Sequence, residues 1–85
     1  MNPRVSKATP NKDFTMTLTF TNGETRIFDV RPYLGRGDFQ ELKDSHYFQR
    51  LSVFEGTVTW PNEQDFCPDT LYLESIPVDG DDLAS

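Results

Sequence analysis

Residues 14–20, Phe-Thr-Met-Thr-Leu-Thr-Phe, alternate apolar side chains with threonine without a fault and run straight into Thr21-Asn22-Gly23. A period of two puts Phe14, Met16, Leu18 and Phe20 on one face of a strand, and Thr15, Thr17 and Thr19 on the other. Threonine favours extended backbone and tolerates water, so the second face can meet solvent. Asn-Gly is a strong hairpin signal. Residues 24–30, Glu-Thr-Arg-Ile-Phe-Asp-Val, then return as the partner strand.

Burial chooses the register. A two-residue loop would pair Thr17 with Phe28 and Thr15 with Val30, and so turn both apolar residues onto the threonine face. A three-residue loop, Thr21-Asn22-Gly23, makes Gly23 the left-handed residue of a bulge. It pairs Met16 with Phe28 and Phe14 with Val30, and leaves only Ile27 on the outer face. One residue of slip inverts every side chain, so the three-residue loop is expected.

The other elements are shorter. Val5 to Ala8 suits an edge strand. Pro32 ends the second strand within Arg31-Pro32-Tyr33-Leu34, because proline has no ladder donor. Gly35-Arg36-Gly37 reads as a flexible link. Asp38 with Glu41 three residues on resembles a capping box for a helical run over 39–43, with Phe39 and Leu42 on one side. A second short turn is expected around 45–49. Residues 50–60 form another hairpin around Glu55-Gly56, pairing Val53 with Val58 and Leu51 with Trp60. Pro68 suits the first position of a helix and Asp69 favours its dipole, although Cys67 is a weak cap. An extended Thr70-to-Ile76 strand competes with that helical turn. The expected fold is α+β: an antiparallel sheet of four or five strands built from two hairpins, with short helices on one face. Residues 1–78 form one domain, and residues 79–85, Asp-Gly-Asp-Asp-Leu-Ala-Ser, read as a disordered acidic tail.

Composition narrows the chemistry. With 85 residues, the chain buries only about 60–65% of its unfolded surface, so large rings must supply the core. Seven Phe, three Tyr and one Trp are available for it. One Cys precludes an internal disulfide and fits a reducing, cytoplasmic setting. No apolar run reaches membrane-spanning length, and the N-terminus lacks the apolar stretch of a signal peptide. The net charge of −6 opposes direct nucleic-acid binding and suits a basic protein partner.

No catalytic set stands out. His46 and Cys67 are single residues with no third group to orient them. No cluster has zinc spacing, Asp79-Gly80-Asp81-Asp82 lacks the closing Glu of a calcium loop, and Gly35-Arg36-Gly37 is not a phosphate loop. Neither a cofactor nor a metal is expected. Five residues remain as binding candidates: Asp29, Tyr33, Trp60, Asp65 and Tyr72. Tyr and Trp with acidic neighbours suit an interface. Each also has a structural role to fill: a core Trp, two core-rim Tyr, and two Asp that can accept backbone hydrogen bonds.

Two segments carry a resemblance. One comprises Phe20-Thr21-Asn22-Gly23-Glu24, Phe28-Asp29-Val30 and Pro32-Tyr33-Leu34. The other comprises Gly56-Thr57-Val58-Thr59-Trp60, Asp65, Pro68 and Leu71-Tyr72. Together, in this order over roughly residues 5–76, they resemble the small bacterial family known as domain of unknown function 2442. The resemblance implies a short α+β domain without an established activity. Some relatives carry a following helix-turn-helix domain, for which these 85 residues leave no room. Others lie beside a second small protein, in the manner of toxin–antitoxin pairs. The family commonly has Gly in the turn after Trp, where this chain reads Pro61-Asn62-Glu63-Gln64.

The resulting expectation is a small non-enzymatic protein-interaction or regulatory module, as half of a toxin–antitoxin-like pair. The alternative is a small-ligand-binding protein or enzyme with a site near Trp60 and Asp65. Open sheet edges also allow a homodimer.

Overall fold

The computed structural model describes residues 2–78, so the acidic tail expected at residues 79–85 lies outside the described residues. The chain runs β1 (Val5–Pro10), β2 (Thr15–Phe20), β3 (Thr25–Asp29), 3-10 turns over Arg31–Tyr33 and Gly37–Lys43, α1 (Ser45–Phe48), β4 (Ser52–Phe54), β5 (Thr57–Thr59), α2 (Pro68–Leu73) and β6 (Ile76–Pro77). An antiparallel sheet has the order β1-β2-β3-β6, and β4 and β5 form a separate two-stranded sheet. The architecture is α+β. Among the described residues, no helix is long and apolar enough to cross a membrane.

The first hairpin adopts the register that burial demands. Met16 faces Phe28 and Thr19 faces Thr25. The Phe20 N–H donates to the Glu24 carbonyl at 2.8 Å and closes a three-residue loop. Gly23 takes a φ of 90° there, a conformation costly for any residue with a Cβ. Met16, Leu18, Phe20, Phe28 and Val30 are all buried. Each such side chain contributes about 1.5–3 kcal/mol of transfer free energy, so the one-residue slip loses far more than a turn can recover.

Phe14 departs from the simple alternation. It precedes β2 with a φ of 63°, the left-handed region, while its ring still packs 5.3 Å from that of Phe48. Core contact holds a bulky residue in a backbone conformation that costs it roughly 1–2 kcal/mol. Phe14→Ala loses the ring and keeps the strain, whereas Phe14→Gly loses the ring and relieves it. Chemical denaturation should therefore find Phe14→Gly the more stable of the two by about 1 kcal/mol, the reverse of their usual order in a strand.

The second hairpin pairs as expected, with Val53 opposite Val58 across a loop in which Glu55 (φ 51°) and Gly56 (φ 82°) are both left-handed. It does not extend the main sheet, whose fourth strand is β6. The Val5 N–H donates to the Gly56 carbonyl at 2.9 Å, but β1 carries a bulge between Val5 and Lys7 and ends at Pro10. A bulged, proline-ended edge cannot carry a continuous ladder. The approach is close: a Cβ on Gly56 would lie 2.6 Å from Arg4 Cδ and 2.8 Å from Arg4 Cβ.

The 37–43 segment corrects the sequence reading in detail. It is a 3-10 helix entered through Arg36 with no side-chain cap, so Asp38 is not the cap residue. Phe39 and Leu42, three apart, align on a helix of three residues per turn. Leu42 is fully buried and the Phe39 ring stacks 4.8 Å from that of Phe66. Asp44 caps α1 instead, its Oδ1 accepting from the His46 N–H at 3.0 Å. From Pro68 the chain is helical rather than extended, with Cys67 making no side-chain cap.

Candidate functional site

The stretch from Trp60 to Tyr72 holds the rare residues, and its geometry is mainly structural. Trp60 is 3% exposed, and its Nε1–H donates to the Phe48 carbonyl at 2.9 Å. The following turn closes on itself: the Trp60 N–H donates to the Gln64 carbonyl at 3.0 Å, and the Glu63 N–H to the Trp60 carbonyl at 2.9 Å. Glu63 carries a φ of 70°. This is the place where a turn favours glycine. Glu63→Gly should raise stability by about 1 kcal/mol, read as a higher urea midpoint at unchanged slope.

Gln64, not Asp65, braces that turn. Gln64 is 5% exposed. Its Nε2 donates to the Asp38 carbonyl at 2.9 Å and to Glu41 Oε1 at 2.8 Å, while its Oε1 accepts from the Tyr47 hydroxyl at 2.6 Å. The Asn62 N–H reaches the Tyr47 oxygen at 2.9 Å, and Asn62 Nδ2 reaches Glu41 Oε2 at 2.7 Å. Every polar atom of the buried amide has a partner, as burial requires. Asp65 is exposed and contributes an isolated backbone bridge to Thr59. Beside this network, Gln40, Glu41, Lys43, Asp44 and Tyr47 line an open depression of about 510 Å³, which includes neither Trp60 nor Asp65.

The five residues proposed from sequence do not converge on one point. Asp29 forms a local pair, accepting from the Arg31 backbone at 2.9 Å and from its guanidinium at 2.8 Å. The Arg31 side chain holds the Asp29 carboxyl below the usual range, with the Arg31 backbone bond adding to it. Tyr33 and Tyr72 do share a neighbourhood, because both anchor α2. The Tyr33 hydroxyl donates to Glu74 Oε1 at 2.6 Å, and the Tyr72 hydroxyl to Glu24 Oε2 at 2.5 Å. Arg26 lies 4.5 Å over the Tyr72 ring and bonds Glu24 Oε1 at 2.9 Å and the Ser75 carbonyl at 2.8 Å. Arg36 lies 4.9 Å over the Tyr33 ring.

Leu73, between the Tyr72 and Glu74 anchors, is 66% exposed, and Ile76, just after them on β6, is 71% exposed. Ile76 faces Ile27 across the β3–β6 pair, so both lie on the outer, threonine-bearing face. The sequence reading missed them. A signal was present in Leu71-Tyr72-Leu73: three consecutive apolar residues on a helix sweep about 200° and cannot all face one core. Leu71 is fully buried, Tyr72 half-buried, and Leu73 is left in solvent.

The Tyr–Glu bonds make α2 docking depend on pH. Bonds from Tyr72 and then Asn22 lower the Glu24 pKa, and the Glu24 bond raises that of Tyr72. For Glu24 the folded value lies below the unfolded one. Its contribution is therefore present above the ordinary glutamate pKa of about 4.3 and fades as the pH falls through the lowered folded value. For Tyr72 the contribution is present below about pH 10 and is lost as the pH rises through the raised folded value. Thermal melts across pH should show Glu24→Gln flattening both limbs, and an unchanged pH dependence would refute the linkage.

His46 is exposed and lies 3.9 Å from Asp44, and Cys67 is exposed at the head of α2. Among the described residues, no group of three or more His, Cys, Asp or Glu side chains is arranged to hold a metal ion. No curated protein and no solved structure matches this chain. Residues 5–77 match the family described as Protein of unknown function (DUF2442). That match spans most of the sequence and both hairpins, and the chain belongs to the DUF2442 family.

Proposed function

We propose that this protein is a non-enzymatic interaction module that docks another protein through the segment Leu73–Ile76. The observation that carries this reading is the pair of exposed aliphatic side chains, 66% and 71% open, beside residues tied down by the Tyr33–Glu74 and Tyr72–Glu24 hydrogen bonds. Exposed apolar groups on a pre-organised frame bind at low entropic cost. Arrangement as half of a toxin–antitoxin-like pair is part of this proposal and draws only on the resemblance noted in the sequence, and a reducing cytoplasmic setting is compatible with the exposed, unpaired Cys67. Affinity purification of the tagged protein, co-expressed with the product of the adjacent gene, tests the reading. A stoichiometric complex lost in Leu73→Glu/Ile76→Glu, with the circular dichroism spectrum unchanged, is the expected result. A complex that survives both substitutions would count against this surface.

A second reading, small-ligand binding, has one observation in its favour: the depression beside Tyr47 and Glu41. Line broadening of the Tyr47 ring resonances with a metabolite mixture, and none at Leu73, would favour it.

A further inference from the structure

We infer that the partner surface taken by Leu73–Ile76 is an amphipathic segment of a second protein whose apolar face is flanked by lysine or arginine. This rests on the docking reading above and adds the chemistry of the partner.

The charges around Leu73 carry the inference. Asp69 lies one helical turn before Leu73 on α2, and Glu74 follows it directly. All three are exposed. Residues four apart share a helix face, so Asp69 and Leu73 are presented together. Both carboxylates are bonded only by neutral groups: Asp69 by Asn2 Nδ2 at 3.3 Å, Glu74 by the Tyr33 hydroxyl at 2.6 Å. Among the described residues, neither has a cation within ion-pair distance. Arg26 and Arg36, which pack on the rings of Tyr72 and Tyr33, form no ion pair with either carboxylate. Arg26 is held by Glu24, Ser75 and the Tyr72 ring, and Arg36 covers the Tyr33 ring. An exposed leucine set between uncompensated carboxylates, on a chain of net charge −6, complements an apolar and cationic surface.

A second copy of this chain fits poorly. A two-fold contact through this surface would bring the Asp69 and Glu74 carboxylates of both copies into one interface, which is repulsive. Edge pairing is opposed too, because both edge strands of the main sheet end in proline, at Pro10 and Pro77.

Three synthetic helical peptides with one leucine face, and lysine, glutamine or glutamate on the polar face, serve as probes. Backbone amide shifts of the labelled protein give site and affinity together. The lysine peptide should shift Leu73, Glu74 and Ile76, bind about tenfold more tightly than the glutamine peptide, and weaken as salt rises. Asp69→Asn/Glu74→Gln, which keeps the Tyr33 acceptor, should remove most of that preference, whereas Glu55→Gln should not. Equal binding of all three peptides at Leu73 and Ile76 overturns the charge inference and leaves the docking reading standing. Lysine-peptide shifts spread over other acidic positions, or self-association through this surface on dilution analysis, overturn the inference. No peptide shifting Leu73 or Ile76 counts against both.

Discussion

Replacing Phe66 by alanine should cost about 3–5 kcal/mol, a large part of the roughly 4–13 kcal/mol that holds a domain of this size together. The reason is position. Phe66 is 5% exposed, and its ring lies 5.0 Å from Phe28, 5.1 Å from Tyr33, 4.8 Å from Phe39 and 6.0 Å from Trp60. It joins β3, both 3-10 turns and the turn that follows β5 through one side chain. Short helical pieces have no stability of their own and depend on such packing. Urea denaturation would register the loss as a lower midpoint, and Phe66→Leu should recover part of it. The control is Phe54→Ala, at a ring 60% exposed, which should change stability by less than about 0.5 kcal/mol. A Phe66→Ala loss as small as that of Phe54→Ala would mean that the aromatic cluster does not join these elements.

Gln64→Leu is the second large effect, expected at about 1–3 kcal/mol despite the similar volume. The amide is buried and satisfies Asp38, Glu41 and Tyr47 at once. Leucine would leave the Tyr47 hydroxyl without its acceptor and the Asp38 carbonyl without its donor. The cost should be non-additive. Tyr47→Phe alone removes a partner from Gln64, but in the Gln64→Leu background it removes a group that has already lost one. The second substitution should therefore cost less in the double variant than alone, by about 0.5–1 kcal/mol or more. Strict additivity in the cycle would show that the two side chains do not act together.

Period and turn chemistry made the first hairpin legible down to its register, because one face of β2 had to be apolar and Asn22-Gly23 fixed where the chain reversed. The helical turn at Pro68 was legible for a similar reason, since proline and an acidic residue mark a helix start. The capping box at Asp38 was misread. Its i, i+3 apolar pair fits a 3-10 helix as well as an α-helix, and Glu41 is drawn to Asn62 and Gln64, which are distant in sequence. The assignment of the second hairpin to its own sheet was hidden in the β1 bulge, which no local pattern announces. For Trp60, Tyr33 and Tyr72 a structural role was legible from residue type, whereas their hydrogen-bond partners were not. Glu24 and Glu74 lie 48 and 41 residues from the tyrosines they bind, so neither pair could be read from spacing. Asp65 looked like the brace of its turn because Asp commonly is, while the buried neighbour Gln64 carries that work.

On the proposed reading, this protein docks a partner at Leu73–Ile76, while the Trp60–Phe66 junction builds the fold. A photo-crosslinking residue placed at Leu73, with Phe54 as a comparably exposed control position (66% against 60%), tests it in the cell. Irradiation should give one discrete protein adduct from position 73 and none from position 54. No adduct from position 73, or the same set of adducts from both positions, would contradict the claim.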